Sequence, residues 1–270
     1  MGEYLWLAPA VLCGLIALVG NIVLGQQVLQ RQIIFIDLAV AQVAALGAAL
    51  SHYWLNSSSW YAGSPWLSES WLGSMLGPWM MSLVLCGVIA ALEKRKHPHL
   101  EPMIGSLFVV SASLAVLLVS KDPHGADFIQ GILNGQLLWS TWQDVWPLAL
   151  ITAAMLLLVW LKPAFMCGSG FYLIFAILMP ITVKLTGIYL EFALLVIPAL
   201  CAAALKGTRF FVASISIGIV GILSGIAASA RYDLPSGASI VITLFITGML
   251  FNLLLQPFLV KITKPAFVRD

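Results

Sequence analysis

Two carboxylates stand inside stretches that are otherwise almost free of charge. Glu191 lies in residues 187–205, GIYLEFALLVIPALCAAAL, a run broken further on by Pro198. A carboxylate within a membrane span costs about 3 kcal/mol or more unless it is paired, hydrated or neutralised. Proline removes a backbone donor and kinks the helix. Together they mark a stretch that faces protein or water rather than lipid. Asp37 stands early in a second such stretch, RQIIFIDLAVAQVAALGAAL, six residues beyond Arg31, hence about 9 Å further along a helix. Gln42 follows in the same run.

Asp37, Gln42 and Glu191 are all oxygen donors, and their common chemistry is to lower the energy of a cation that has lost part of its hydration shell. Such donors suit manganese as well as zinc, and Gln42 does not replace imidazole as a strong zinc ligand. Binding is therefore expected to be weak and transient, as a conduction path needs. The same carboxylates could instead carry protons. Each also has a purely structural reading. Asp37 would be a helix-end carboxylate near Arg31. Glu191 would be a hydrogen-bonded carboxyl that fixes helix packing, or a salt-bridge partner of Lys184.

The elements that must position these groups are membrane spans. The chain is 61% hydrophobic and 9% charged, with a mean hydropathy of +1.02. No soluble domain of 270 residues could bury that much apolar surface. The expected fold is an all-α polytopic membrane protein, one transmembrane domain over residues 1–270. Nine spans are expected, near residues 4–24, 33–55, 74–92, 103–119, 145–161, 171–187, 188–205, 210–230 and 238–260, since a span needs roughly 20 apolar residues. As one helix, residues 171–205 would run about 52 Å, well beyond a hydrocarbon core of about 30 Å, so that stretch reads as two short spans.

Nine spans place Arg31, Lys94, Arg95, Lys96, Lys162, Lys206, Arg209, Lys261, Lys264 and Arg269 on one side, and Lys121, Lys184 and Arg231 on the other. The positive-inside rule then puts the N-terminus outside and the C-terminus in the cytoplasm. Trp54, Trp60, Trp66 and Trp71, with Trp139, Trp142 and Trp146, fall at the outer boundary as an aromatic belt would. The stretch KDPHGADFIQGILNGQLLWSTW is too polar at its start and too short to span. It reads as an outer loop followed by a short interfacial or re-entrant helix. Ala41, Ala45 and Ala49, and Gly221 with Gly225, are small residues at four-residue spacing, which lets helices approach closely. They point to packing within the subunit ahead of a dimer face.

Other patterns are bland. His97 and His99 form an H-x-H pair beside Lys and Arg, which reads as a solvated turn before a metal site. Asp122, His124 and Asp127 read as a solvated loop. Cys13, Cys86, Cys167 and Cys201 have no zinc-knuckle spacing and read as small packing residues. The N-terminus MGEYLWLAP has no basic region of the kind that opens a cleaved signal peptide. No basic run tracks a nucleic-acid backbone, so no nucleic-acid partner is expected. There is no phosphate-cradling G-x-x-x-x-G-K-[ST] and no nucleophile–base pattern. The chain is not expected to be an enzyme, and a transporter built from it must use an ion gradient or borrow an ATPase.

Four stretches, taken in order, resemble the permease subunits of ABC transporters for zinc, manganese or iron, the ABC-3 family. They are RQIIFIDLAVAQVAALGAAL, DPHGADFIQGILNGQLLW, GIYLEFALLVIPALCAAAL and YDLPSGASIVI; LLVIPA and DLPSG-x-x-IV are the most specific. The resemblance implies a divalent-metal importer subunit of the bacterial inner membrane, with zinc ranked before manganese or iron. It also implies a cytoplasmic ATPase, a periplasmic metal-binding protein and a second permease copy as partners, besides membrane lipid. The metal is cargo, and no resident cofactor is implied. Family members commonly carry G-D-x-x-S-H in the second span. Aligned here, the family Asp falls on Leu38 and the family His on Gln42, leaving Asp37 displaced by one residue, about 100° around the helix. The cytoplasmic segment between the fifth and sixth spans is cut to LKPAFMCGSG. The competing expectation is an ion-coupled secondary transporter that uses Asp37 and Glu191 as proton or cation sites.

Overall fold

Apolar runs become helices, and glycine, proline and charge decide where each run stops. A computed structural model describes residues 5–51, 71–95, 99–120 and 122–254. Every regular element among them is helical. In chain order they are α1 (Ala8–Arg31), α2 (Ile36–Leu50), α3 (Trp71–Lys94), α4 (Leu100–Val119), α5 (Gly125–Asn134), α6 (Trp142–Leu161), α7 (Pro163–Cys167), α8 (Gly170–Thr186), α9 (Ile188–Cys201), α10 (Thr208–Tyr232) and α11 (Ser236–Leu254). One-turn 3-10 helices lie at Leu5–Leu7 and Leu137–Trp139. The chain is thus an all-α polytopic membrane protein. Helix α6 starts where Thr141 and Asp144 form a reciprocal capping box, which satisfies amide donors left free at a helix start.

Each of the nine expected segments holds a helix. By length and composition six of them reach across a membrane, namely α1, α3, α4, α6, α10 and α11. The count becomes seven if α8 and α9 together form one crossing. Helix α2 is shorter, with 15 residues. Helices α8 and α9 meet at Gly187 with a bend of 116°, so residues 171–205 form two separate rods rather than one long one. The short helix expected in the stretch after α4 is present as α5. The expected ends at 55 and 260, and Trp54, Trp60, Trp66, Lys96, His97 and Lys121, lie outside the described residues.

Two ends of the bundle are fastened differently. At one end the Arg31 guanidinium donates to both Glu93 oxygens, at 2.7 and 2.9 Å, and to the carbonyls of Met166 and Gly168, at 3.0 Å each. It also lies over the Phe171 and Tyr172 rings. Planarity and five donors suit arginine to such a junction. Arg31 is therefore bound to Glu93, not Asp37. It ties α1, α3 and the turn after α7 to the start of α8.

At the other end three glycines meet. A Cβ on Gly135 would run into the backbone of Thr186 and Gly187, and one on Gly187 into Gly135 and Asn134. A Cβ on Gly237 would strike the Asn134 carbonyl. The amide of Gln136 donates to the Leu185 carbonyl at 2.9 Å. Exposed Trp139, Trp142 and Trp146 lie in the segment next to this end, where a membrane boundary would place them.

The Gly221 and Gly225 spacing is used inside the subunit. Gly221 and Gly225 of α10 abut Leu244 and Ile240 of α11, and Gly47 of α2 abuts the backbone of Gly77 in α3. Large apolar side chains such as Leu117, Leu150 and Phe245 face outward, the arrangement expected where lipid replaces water.

Candidate functional site

Glu191 sits in the first turn of α9, immediately past the Gly187 corner. Its side chain is fully buried. One carboxylate oxygen accepts from Asn21 Nδ2 at 2.8 Å and the other from Thr186 Oγ1 at 2.7 Å. Three elements therefore converge on one carboxylate: α1 through Asn21, the end of α8 through Thr186, and α9. The corner is what makes this possible. Gly187 has φ 78° and ψ 163°, a region essentially closed to other residues. It reverses the chain within one residue, so that Thr186 can donate to a side chain only five positions on.

Asp37 sits in the first turn of α2. It is 1% exposed, neither of its carboxylate oxygens has a hydrogen-bond partner, and it lies within electrostatic reach of Glu191. Both acids thus occupy the first turns of short helices, where the helix dipole favours negative charge. One turn beyond Asp37, Ala41 of α2 packs with Val183 of α8 and Ile188 of α9. Two carboxylates enclosed together call for a proton or a cation between them.

Gln42 is half-buried, and five positions along a helix place it about 140° round from Asp37. The structure does not bring it to the acid pair. Leu38, one turn before Gln42, packs on the cluster of Ala41, Val183 and Ile188. Lys184 is not the partner of Glu191: its ammonium donates to Ser74 Oγ at 3.1 Å and lies 6.0 Å from the Trp71 ring centre. No group of three or more His, Cys, Asp or Glu side chains able to hold a metal forms among the described residues. Among the described residues, Asp37 and Glu191 have no third acid, histidine or cysteine grouped with them as a metal site.

Sequence reasoning passed over Asn21 and Thr186. The signal for Asn21 was present, because it is the one amide side chain in the first eighteen residues of α1, APAVLCGLIALVGNIVLG. Thr186 carried none, since a threonine before a glycine is unremarkable until the chain turns back on itself.

A cavity of about 510 Å³ opens beside the end of α8. Ala44 and Ala48 of α2, Pro78 of α3, Asp127 of α5, Asp144 of α6 and Val183 of α8 contribute to its wall. Val183 borders both the cavity and the contact between α2, α8 and α9. Asp127, expected in a solvated loop, is exposed yet reaches this cavity. Asp122 instead caps the turn by accepting from the His124 amide at 2.9 Å.

The architecture is that of a polytopic helical membrane protein with two buried carboxylates. The family model described as the ABC 3 transport family matches residues 3–169 and 161–255, so the chain belongs to that family. The two matched stretches meet at residues 161–169, where the segment between α6 and α8 is short. Among solved structures, the chain is similar in fold to PsaBC from Streptococcus pneumoniae in complex with Fab, with a TM-score of 0.69 at 19% identity, over 96% of each chain. As a member of a transport family, the chain is a membrane subunit and not itself catalytic.

Proposed function

We propose that this chain is the permease subunit of an ATP-driven importer of a divalent transition metal in a bacterial inner membrane. The observation that carries the reading is the buried Asp37–Glu191 pair on the first turns of two short helices, in a chain of the ABC 3 transport family. The partners are a cytoplasmic ATPase, a periplasmic metal-binding protein and a second permease copy. The resemblance alone ranks zinc first. The absence of a third metal-holding His, Cys, Asp or Glu beside the pair among the described residues moves manganese ahead of it, because hard oxygen donors suit manganese and imidazole suits zinc.

The test is transport by the purified chain in vesicles, with and without its ATPase. Uptake is expected only with the ATPase and ATP. Uptake by the chain alone, driven by a proton gradient, would replace this reading with the secondary-transporter one.

The proposed topology has nine crossings, with α2, α8 and α9 as short ones, the N-terminus outside and the C-terminus inside. Support comes from the basic residues: Arg31 lies at the same end as Glu93 and Met166, while Lys184 lies at the end of Ser74. Single cysteines placed at His99 and Asp127 in a cysteine-free background check it. An impermeant thiol reagent on intact cells is expected to label position 127 and spare 99; the opposite pattern reverses the orientation.

A further inference from the structure

We propose that Asn21 is a working part of the ion site, orienting Glu191 through its amide nitrogen and offering its own carbonyl oxygen to the metal. This rests on the permease reading above. A carboxylate only accepts hydrogen bonds, so the Asn21 atom facing Glu191 at 2.8 Å is Nδ2. That leaves Oδ1 as the other end of the same amide. Asn21 is fully buried, and Oδ1 has no hydrogen-bond partner. Both Asp37 oxygens are in the same condition. Buried polar groups are nearly always satisfied, and clustered exceptions need a reason.

Asn21 Oδ1 is thus the free end of an amide whose other end holds Glu191, and the second buried acid, Asp37, also has both oxygens unpaired. A divalent cation held at Glu191 would give Asn21 Oδ1 a partner and would offset the charge of the Asp37 carboxylate. The resulting donor set is two carboxylates and an amide carbonyl, with the Thr186 hydroxyl holding Glu191 from the other side. Such a set is hard, and it selects manganese-type ions over zinc. Asn21 is then a specificity-determining residue, because it occupies a position from which an imidazole would change the donor class.

The experiment measures ATP-dependent uptake of manganese alone and of zinc alone by the reconstituted complex, for wild type and for Asn21→Leu, Asn21→His and Asn21→Gln. Co-purification with the ATPase and the melting temperature report on folding. Asn21→Leu is expected to lose manganese uptake about tenfold or more while remaining assembled, the loss of one charge-assisted contact. Asn21→His is expected to move the zinc-to-manganese uptake ratio about tenfold toward zinc. Asn21→Gln, which keeps the amide but displaces it, is expected to fall between Leu and wild type. An unchanged metal ratio in Asn21→His, or near-normal manganese uptake by Asn21→Leu, overturns the proposal. Loss of folding in all three variants also overturns it, in favour of an amide that only holds helices together. Wild type that carries neither metal with ATP would sink the permease reading itself.

Discussion

Uptake of divalent metal is expected to fall about 10- to 100-fold in Glu191→Gln and in Asp37→Asn, and to background in the double variant. Each change removes one charge from the enclosed pair but keeps its shape. A hydrogen bond or ligand contact to a charged group is worth about 1.5–3 kcal/mol, and about 1.4 kcal/mol is a factor of ten. Folding should survive, because a glutamine at 191 still accepts from Thr186 or Asn21, the two donors that reach Glu191 at 2.7 and 2.8 Å. Leucine at 191 would be the wrong choice. It would strand both donors in a buried site, at about 1–3 kcal/mol each, and confuse loss of function with loss of fold. The measurement is metal content of vesicles bearing the assembled transporter, with ATPase co-purification as the folding control. Near-normal uptake by the double variant would refute the ion site. Loss of assembly in either single variant would instead assign that acid to packing.

The second large effect is expected at the glycine corner. Gly135→Ala and Gly187→Ala should each remove most of the folded, monodisperse protein. Gly135 has φ 68° and ψ 178°, and Gly187 has φ 78° and ψ 163°. A residue with a side chain held there costs about 1–3 kcal/mol in backbone strain alone. In addition, each added Cβ would meet main-chain atoms of the other segment, which cannot rotate away as a side chain would. The contact between α5 and the α8–α9 turn must then open, and Thr186 and Glu191 lose their register. Gly131→Ala is the control, since it lies on the same α5 helix with open space around its position. Equal folded yields for Gly131→Ala and Gly135→Ala, measured by size-exclusion chromatography after purification, would remove the corner from the account.

This corner also explains why the distinctive stretches of the sequence are distinctive. Gly135 lies in ILNGQLLW, Gly187 in GIYLEF and Gly237 in DLPSG. As strings they looked like a short outer helix, the start of a span and a tight turn. In the structure they are one contact, with Gly237 set against the Asn134 carbonyl and Gly135 against Gly187. Their common consequence is the placement of Thr186 beside Glu191.

Much of the architecture was legible without coordinates, for physical reasons that act locally. Apolar length against the thickness of a bilayer put a helix in each of the nine expected segments, six of them long enough to cross, and Gly187 divided residues 171–205 as the length argument required. The cost of a carboxylate in an apolar run singled out Asp37 and Glu191, and both are buried. Other features depend on which faces meet, and no local rule supplies that. Gln42 shares a helix with Asp37, but helical geometry turns it away. Arg31 and Lys184 are near the acids in sequence, yet Glu93 and Ser74 hold them. Asn21 is 170 positions from Glu191, and only the packing of α1 against α9 makes it a partner. Hydrophobicity and charge act residue by residue and so can be read along the chain. The donor set of the site comes from contacts between distant helices, which exist only once the bundle has closed.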